Sequence, residues 1–390
     1  MPQLSKRTEY FTDSVIRRMT RISDQYNAIN LSQGFPDFDP PKEITEALAE
    51  IARKGPHQYS VTYGAENFRE ALAGKAEKNL CHKINPETEI VVTCGGTEAM
   101  MTAMMTVCNP GEKVIIFSPF YENYSADTIL SGAEPIYVPL IPPDFHFNKE
   151  ALEAAFKEKP KAIVVCNPSN PTGKVFTKEE LLTIGELAIK YDTFVITDEV
   201  YEHIIFKPHQ HISMASLPGM YERTITCSSL SKTYSITGWR LGYLIGPESV
   251  IEVAKKVHDF LTVGAASPLQ EAAVVGLKFG QEYYDNLQKL YTEKRDFFVQ
   301  GLKKLNIPHT VPQGSYFIMV DISEYLAKEQ FKDYTDYDFC IWMIKNIGVA
   351  AVPGSSFFKE KINNYIRLHF AREKSSLEEV LLRLAKLNEL

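Results

Sequence analysis

The chain has 390 residues, 44% of them hydrophobic and 23% charged, and its formal net charge is -7 at pH 7. This length predicts about two to three domains and is ample for a large core. The acidic balance gives no basic face for nucleic-acid binding, and no run of about 18 apolar residues predicts a membrane span. The six cysteines are scattered and the first residues lack an apolar signal-peptide stretch, so we predict free thiols in the cytoplasm.

The first part of the chain has the pattern of helices separated by loops. Apolar spacing predicts helices over residues 12–24 and 43–54, and the turn-rich run GFPDFDPP (34–41) lies between them. The next loop carries Tyr59 and Tyr63 and leads into a further helix. Packing at the surface or at an interface is the plain interpretation of both tyrosines.

Residues 89–118 have the pattern of strand, glycine turn, apolar helix and second strand, which is a β-α-β unit. Gly95, Gly96 and Thr97 fall where the strand becomes the helix, so their backbone N–H groups are free to bind an anion such as phosphate. Such a turn can equally serve only to reverse the chain. Tyr121 follows the second strand, where an aromatic side chain can stack on a flat ligand.

Two further strands end in polar residues. The run KAIVVC (161–166) is continuously apolar, as parallel strands require, and Asn170 lies in the proline-bounded loop after it. A helix over 177–192 precedes the next strand, which ends at Asp198 with Tyr201 three residues on. Open α/β sheets bind ligands at the carboxyl ends of their strands, so these three polar residues are candidate site residues. Taken alone, Asp198 would also suit a turn or a helix cap.

Three histidines, His203, His209 and His211, follow this strand. Their spacing around Pro208 suits no helix face and brings no carboxylate partner, so we predict solvated loop histidines and no metal site. The sequence contains no Cys-x-x-Cys or His-Glu-x-x-His motif that would change this prediction.

The segment SLSKTYSITGWRLG (229–242) carries the candidate reactive group. It holds Lys232, with the hydroxyl of Ser229 three residues before it and the guanidinium of Arg240 eight residues after it. A lysine held beside a strand can form a Schiff base with a carbonyl, and a serine and an arginine next to it suit a phosphate dianion. An aldehyde and a phosphate coincide in pyridoxal phosphate, which is therefore the predicted cofactor. A solvated lysine in an ordinary loop is the plain alternative.

The last third of the chain alternates helices and strands, which predicts a smaller α+β unit. We predict helices over 248–261, 266–280 and 281–306, and strands over 315–322, 348–354 and 365–371. Arg367 lies inside the last apolar strand, and a charge there must be paired. Its partner is either a protein carboxylate or the carboxylate of a substrate, held bidentately.

Several of these motifs together resemble the class I (fold-type I) pyridoxal-phosphate-dependent aminotransferases. The resemblance is carried by Ser-Leu-Ser-Lys (229–232) with Gly-Trp-Arg-Leu-Gly (238–242), by Asn-Pro-Ser-Asn-Pro-Thr-Gly (167–173) and by Gly-Phe-Pro-Asp-Phe (34–38). It spans nearly the whole chain, and the pattern is most similar to the kynurenine/glutamine and methionine/aromatic branch.

The resemblance implies an α/β fold in which a large cofactor-binding domain has a mostly parallel, seven-stranded sheet flanked by helices, with a smaller α+β domain beside it. The implied division is an N-terminal arm and small-domain segment (1–45), the large domain (46–285) and the small C-terminal domain (286–390).

The resemblance also implies a role for each candidate residue. Lys232 forms the imine with the cofactor and moves the substrate proton, Asp198 pairs with the pyridinium nitrogen, and Tyr201 donates to the phenolic oxygen. Asn170 shares that oxygen, and Tyr121 stacks on the ring. The cofactor's phosphate is implied to bind Gly95, Gly96, Thr97, Ser229, Arg240 and, across a homodimer, Tyr59. The substrate is implied to contact Gly34, Asn170 and Arg367, with Arg367 holding the α-carboxylate.

The implied activity is ping-pong transfer of an amino group from an L-amino acid to a 2-oxo acid. Dicarboxylate-specific relatives use a second basic residue, and this chain has no Lys or Arg over 257–277 or 97–112. We therefore predict donors with large apolar or aromatic side chains. The alternatives are an aspartate-type aminotransferase and a pyridoxal-phosphate-dependent cysteine-S-conjugate or cystathionine β-lyase. A non-catalytic regulator with this fold is a further alternative, disfavoured by the intact Lys232 and Asp198.

Overall fold

A computed structural model describes residues 4–390, and its largest feature is a twisted sheet of eight strands. The strands of the chain are β1 (Ile29–Asn30), β2 (Ile90–Thr93), β3 (Lys113–Ser118), β4 (Glu134–Ile141), β5 (His146–Phe147), β6 (Ala162–Cys166), β7 (Phe194–Asp198), β8 (Thr224–Ser229), β9 (Gly242–Ile245), β10 (Phe317–Asp321), β11 (Val349–Ala350), β12 (Val352–Pro353) and β13 (Tyr365–His369).

The large sheet has the order β2-β9-β8-β7-β6-β3-β4-β5. Strands β3, β4, β6, β7 and β8 are parallel, and β9 lies antiparallel between β2 and β8. The predicted fold class is confirmed. An eighth strand, β5, adds two residues at the edge because the chain turns back after β4 and pairs with its end. Strand β6 is buried along its whole length, which explains its uninterrupted apolar sequence.

In the part of the chain that the structure describes, fourteen α-helices surround the two larger sheets. They are α1 (Val15–Gln25), α2 (Lys42–Lys54), α3 (Glu66–Leu80), α4 (Gly96–Val107), α5 (Asn123–Leu130), α6 (Lys149–Lys157), α7 (Lys178–Lys190), α8 (Leu230–Thr233), α9 (Glu248–Thr262), α10 (Ser267–Leu277), α11 (Gln281–Lys304), α12 (Ser323–Leu326), α13 (Asp336–Trp342) and α14 (Lys374–Leu384). The helices predicted from apolar spacing all form, with ends that differ by a few residues. Within residues 4–390, none of the helices is long and apolar enough to cross a membrane.

A smaller antiparallel sheet has the strand order β10-β13-β12. Its side chains share one hydrophobic cluster with helices α11, α13 and α14, and Met19 and Leu31 from the N-terminal segment join the same cluster. Strand β1 pairs in parallel with β11, which ties the N-terminal segment to the C-terminal part of the chain. The division of the chain at residues 46 and 286 stays a prediction.

The parallel strands of the large sheet end at one edge, and this edge gathers the polar residues that follow them. Asp198 is the last residue of β7 and Ser229 the last residue of β8. Lys232 lies on the short helix α8, immediately after β8. The turn at Gly95 follows β2, and Asn170 lies in the loop after β6. This topology places all five residues at the carboxyl end of the sheet, where open α/β sheets bind ligands.

Candidate active site

A cavity of about 430 Å³ opens at this edge of the sheet, between the large sheet, helix α1 and strand β13. Most of the residues that the sequence singled out line it, namely Gly34, Gly96, Thr97, Tyr121, Asn170, Asp198, Tyr201, Ser229, Lys232, Arg240 and Arg367. They come from segments more than 330 positions apart in sequence. Gly95 lies directly behind this lining, and Tyr59 lies outside the cavity.

The amine of Lys232 points into the cavity. Its Nζ donates to the backbone oxygen of Gly34 at 3.1 Å, and the hydroxyl of Tyr316 donates to the same oxygen at 2.7 Å. The amine also lies 5.9 Å from the ring centroid of Tyr201 and 5.7 Å from that of Tyr316. The nitrogen is therefore held by one hydrogen bond and two aromatic faces, with no carboxylate bound to it in residues 4–390.

Asp198 is a buried carboxylate, only 8% exposed, that faces the same cavity. Tyr124 on helix α5 donates its hydroxyl to Oδ2 at 2.6 Å, and the backbone N–H of Val200 donates to Oδ1 at 3.2 Å. Burial raises the pKa of Asp198, while these two hydrogen bonds and the positive charge of Lys232 oppose that rise. A carboxylate in this setting is suited to pair with a cationic group of a ligand.

The turn between β2 and α4 forms a tight cradle against Arg240. Gly95 has a φ of +86°, and a Cβ placed on it would lie 2.2 Å from Nη2 of Arg240, so this position requires glycine. Gly96 begins α4, where free backbone N–H groups and the helix dipole favour an anion. Arg240 is exposed, and its guanidinium donates to the backbone oxygens of Thr237 and Cys94. The cradle is therefore suited to a phosphate.

A charged pair behind the cradle stabilises it. Nδ1 of the fully buried His258 lies 2.6 Å from Oε1 of Glu98, and Nε2 of the same ring lies 2.9 Å from the backbone oxygen of Thr62. Because each ring nitrogen faces an acceptor, each must carry a proton, and the ring is therefore the charged imidazolium. Burial opposes the charged forms, but the pairing raises the pKa of His258 and lowers the pKa of Glu98.

We expect this pair to make stability depend on pH. The unfolded histidine has a pKa of about 6.5, and the raised folded pKa means that its contribution is complete below that value and lost as pH rises through the folded pKa. The contribution of Glu98 is lost only at acid pH. His258→Gln should therefore lower the free energy of unfolding by about 1–2 kcal/mol near pH 6 and by less near pH 8.5. Urea unfolding at the two pH values tests this, and an equal loss at both would contradict it.

Arg367 is fully buried at the far side of the cavity. Its Nη1 donates to Oδ1 of Asn170 at 2.7 Å, Nη2 donates to the backbone oxygen of Ser32, and Nε has no partner in residues 4–390. The guanidinium lies 4.1 Å from the ring centroid of Phe317. Burial lowers the pKa of Arg367 to about 10, so it stays charged at neutral pH. A buried cation without a protein carboxylate is suited to an anionic ligand.

Tyr121 and Tyr201 supply aromatic walls. Tyr121 lies edge-on to Tyr124, with ring centroids 5.8 Å apart, and Tyr201 lies edge-on to Tyr316 at 5.1 Å. Burial raises the pKa of Tyr121 to about 12, so its hydroxyl is neutral. Tyr59 is 87% exposed and touches none of these groups.

The prediction of solvated loop histidines without a carboxylate partner is wrong for His203 and His211. Nε2 of His211 lies 2.8 Å from Oε2 of Glu199, and Nε2 of His203 lies 3.3 Å from Oε1 of Glu202. The turn after β7 sends Glu199 and Glu202 behind the cavity wall, which a linear reading of the histidine spacing could not anticipate. Glu199, Glu202 and His211 offer three possible metal-ligand atoms within 4.8 Å of one another, but Nζ of Lys75 already contacts Glu202 at 2.8 Å.

Several side chains in the cavity or next to it have contacts that were not predicted from the sequence. Tyr124 holds Asp198, and Tyr316 shares the acceptor of Lys232. Asp127 lies near Asp198 with an unpartnered Oδ2, and burial together with the charge of Asp198 raises its pKa to about 8. Arg17 lines the cavity from helix α1. Hydroxyl, carboxyl and guanidinium groups on helices carry no local signal of the partner they will meet.

Comparison with known proteins defines the class to which this fold and site belong. The profile of the family "Aminotransferase class I and II" matches residues 26–384. The chain belongs to this family and is a transaminase. It is 35% identical to kynurenine–oxoglutarate transaminase 3 of Bos taurus over 400 residues, covering 96% of this chain and 88% of that protein.

Solved structures agree with this assignment. A methionine aminotransferase from Escherichia coli has a TM-score of 0.93 and 34% identity, covering 99% of this chain and 100% of that chain. The N-succinyldiaminopimelate aminotransferase of Mycobacterium tuberculosis has a TM-score of 0.93 and 32% identity with the same coverage. These relatives act on different amino acids, so the fold defines the reaction class and leaves the substrate to the cavity.

Proposed function

We propose that this transaminase uses pyridoxal 5'-phosphate and moves the amino group of an L-amino acid with a large apolar or aromatic side chain to a 2-oxo acid, by a ping-pong mechanism. One observation carries the proposal: the amine of Lys232 shares a cavity with a buried acid, Asp198, and a buried cation, Arg367. Three parts of the reactants must be held. Lys232 suits the carbonyl of the cofactor, Asp198 its ring nitrogen and Arg367 the α-carboxylate of the substrate.

The residues present fit this cofactor. When bound, pyridoxal phosphate supplies an aldehyde that takes up the amino group and a ring that accepts electrons from Cα. The cradle of Gly95, Gly96 and Thr97 with Ser229 and Arg240 would hold its phosphate. Asp198 would keep its ring nitrogen protonated, Asn170 and Tyr201 would donate to its phenolic oxygen, and Tyr121 would cover its ring.

The remaining chemistry belongs to Lys232 and Arg367. Arg367 would hold the α-carboxylate through its guanidinium, which fixes the Cα–H bond near Nζ of Lys232. The amine of Lys232 would take the proton from Cα and later return one, as general base and acid. The rings of Tyr201 and Tyr316, whose centroids lie 5.9 and 5.7 Å from Nζ, flank this amine and limit its contact with water.

Apolar groups support the proposed donors. Ile16, Phe35 and Phe317 line the cavity together with Tyr121. Such a wall stabilises an apolar side chain by roughly 25 cal/mol for each Å² removed from water.

Arg17 supports a second candidate, which is a dicarboxylic 2-oxo acid as the amino acceptor. Its side chain lines the cavity and forms no hydrogen bond or ion pair within residues 4–390, whereas Arg21 on the same helix pairs with Asp13. Arg17→Gln should lower kcat/KM for 2-oxoglutarate by about tenfold while leaving phenylalanine unchanged. Arg21→Gln is the matched control. An equal loss for both substrates would contradict a role in distal carboxylate binding.

We also propose a homodimer in which Tyr59 contacts the cofactor phosphate of the neighbouring subunit. Tyr59 (87% exposed) and Phe260 (92% exposed) are large apolar side chains on segments joined by the contact of His258 with Thr62. Val61 and Val263 are exposed beside them. An exposed apolar surface of this kind is typical of an interface. Sedimentation of the holoenzyme as a monomer at micromolar concentration would contradict the dimer.

The cytoplasmic location remains part of the proposal. All six cysteines are free thiols and four of them are buried, as expected of a protein that folds in a reducing compartment. Recovery of the protein from its host with disulfides would contradict it.

The visible absorption spectrum of the purified holoenzyme, titrated with single amino acids, tests the proposed function. We expect a yellow band that bleaches on adding phenylalanine or methionine and returns on adding a 2-oxo acid. A clear preference for aspartate, by kcat/KM, would contradict the proposed donors. Pyruvate release from cystathionine without an added oxo acid would identify a β-lyase. Failure to form any band with added cofactor would contradict the whole proposal.

Tyr124→Phe should weaken cofactor binding. Without its hydroxyl, the pKa of Asp198 rises further and the carboxylate pairs less well with a ring nitrogen. We expect the dissociation constant of pyridoxal phosphate to increase by about tenfold, which corresponds to one lost hydrogen bond to a charged group. Fluorescence titration of the apoprotein measures this. Tyr137→Phe, which removes a hydroxyl bonded to Ser125 outside the cavity, is the control. Equal affinity in Tyr124→Phe and wild type would contradict the assignment.

A further inference from the structure

A second cavity, of about 480 Å³, lies outside the active site and has no role in the proposed reaction. We call it the basic groove and define it by Lys174, Lys207, His209, Arg295 and His309, which line it from the loop after β6, the loop after Phe206, helix α11 and the loop before β10. Among residues 4–390, the only acid in its lining is Asp144. In a chain with a net charge of -7, such a concentration of basic groups calls for a physical explanation.

Two of the cations are held in place by neighbouring acids. Nζ of Lys174 contacts Oε1 of Glu180 at 2.8 Å, and the guanidinium of Arg295 contacts Asp296 at 2.7 Å. These pairs fix the positions of Lys174 and Arg295 at the walls of the groove. A positioned cation loses less conformational entropy on binding a ligand than a free one.

Of the other basic groups of the groove, His309 has a partner at Nδ1, which lies 2.6 Å from the backbone oxygen of Ile307. Within residues 4–390, the side chains of Lys207 and His209 form no hydrogen bond or ion pair, and Nε2 of His309 is buried without a partner. Burial and the positive charges of Arg295 and Lys174 lower the pKa of His209. Lys174 and Arg295 are paired with Glu180 and Asp296, so Lys207 and His209 are the groups of the groove that are left to bind an anion.

The groove is too large for a bare anion and partly apolar. Phe145, Val311, Pro208 and Pro312 contribute to its lining, and Val311 is exposed to solvent. A cavity of about 480 Å³ is within the range of small-molecule sites. The occupant that fits these features therefore has an organic body and a compact, multiply charged anionic group.

We propose that the basic groove binds the phosphate monoester of a small organic molecule. Lys207, His209 and Nη1 of Arg295 would surround the phosphate, whose dianion matches more than one cation. Val311, Pro208 and Pro312 would contact the organic body. Nothing in the proposed aminotransferase reaction requires this site, so it is independent of that function.

The groove contacts the loop that carries Asn170. The backbone N–H of Gln313 donates to the backbone oxygen of Gly173 at 2.8 Å, and a Cβ on Gly173 would lie 2.8 Å from Pro312. The wall formed by this loop is therefore closely packed. A ligand in the groove would contact the loop that carries Asn170, and Asn170 accepts a hydrogen bond from Arg367 in the active site.

Calorimetric titration of the holoenzyme with phenyl phosphate tests the proposal. The holoenzyme already carries pyridoxal phosphate in the active site, which directs the probe to the groove. Unbound cofactor is removed beforehand, because it is itself a phosphate monoester and would compete for the groove. We expect one phenyl phosphate to bind per chain, inorganic phosphate to bind more weakly, and phenol not to bind. Lys207→Gln and His209→Gln should each weaken phenyl phosphate by about tenfold, while Lys54→Gln, which removes an exposed cation elsewhere, should not.

Histidine NMR of the wild-type protein gives a second test, which does not depend on the affinities of the variants. Phenyl phosphate should raise the pKa of His209, whose signal is assigned by its loss in His209→Gln. No heat of binding, equal affinity in Lys207→Gln and wild type, or an unshifted His209 signal at saturation would each overturn the proposal. Binding of inorganic phosphate as tight as that of phenyl phosphate would overturn the part assigned to the organic body.

Discussion

Replacing Lys232 with alanine should abolish the visible band of the holoenzyme and lower kcat for transamination by at least about 10³-fold. The variant loses the amine that attaches the cofactor and also the general base that removes the Cα proton, and general acid–base catalysis alone contributes up to about 10⁴-fold. The fold should survive, because Nζ makes one hydrogen bond and its removal leaves only a backbone oxygen, which Tyr316 still satisfies.

The absorption spectrum and partial rescue by a small amine separate the two roles of Lys232. Added ethylamine should restore part of kcat in Lys232→Ala by acting as the base, without restoring the band of the lysine-bound cofactor. Lys278→Ala, an exposed lysine at the end of α10, is the control and should retain full activity. A Lys232→Ala variant with wild-type kcat would refute the assignment.

The sequence was sufficient for the parts of the site that follow directly from strand ends. Continuous apolar strands identify β6 and β7, and topology requires that their carboxyl ends share one edge. Asn170 and Asp198 were therefore predictable as neighbours although they are 28 positions apart. The cradle at Gly95 was predictable for the same reason, since a glycine turn between a strand and a helix exposes backbone N–H groups.

The sequence was insufficient where a side chain's partner lies on a distant element. Tyr316 and Gly34 are 282 positions apart, and nothing in either segment indicates that they meet beside Lys232. Arg17 is one of three arginines on helix α1, and only the packing of that helix over the cavity distinguishes it from Arg18 and Arg21.

The histidines show the same limit for side chains that were predicted to have no partner. Because local spacing offered His203 and His211 no acid, they were predicted to be solvated, although Glu202 directly precedes His203 and Glu199 lies 12 positions before His211. The turn after β7 brings acids and histidines together behind the cavity wall, and Lys75 from helix α3 completes the group. These histidines meet acids because of the direction of the backbone after β7, which the spacing of residue types does not encode.

Replacing Arg367 with glutamine should lower kcat/KM for phenylalanine by about 10²–10³-fold, mainly through KM. Truncating one partner of a buried, hydrogen-bonded charge pair costs about 2–5 kcal/mol, and here the lost pair is the one with the α-carboxylate. Arg367→Lys should be intermediate, because a lysine keeps the charge but cannot bind a carboxylate bidentately. Part of the fall in kcat/KM in Arg367→Gln will come from a less stable fold, because Ser32 and Asn170 each lose a hydrogen-bond donor.

A substrate without a carboxylate separates binding from stability in this experiment. If Arg367 holds the α-carboxylate, the rate with 2-phenylethylamine should be similar in wild type and Arg367→Gln, because this amine offers the arginine nothing to bind. In Arg367→Gln, the ratio of kcat/KM for phenylalanine to kcat/KM for 2-phenylethylamine should then fall by the same factor of about 10²–10³. Arg372→Lys, a buried arginine of the same segment that lies outside the cavity, should leave the ratio unchanged. If kcat/KM fell equally for phenylalanine and for 2-phenylethylamine in Arg367→Gln, the arginine would have a structural role only. Its buried Nε, which has no partner within residues 4–390, would then need another explanation.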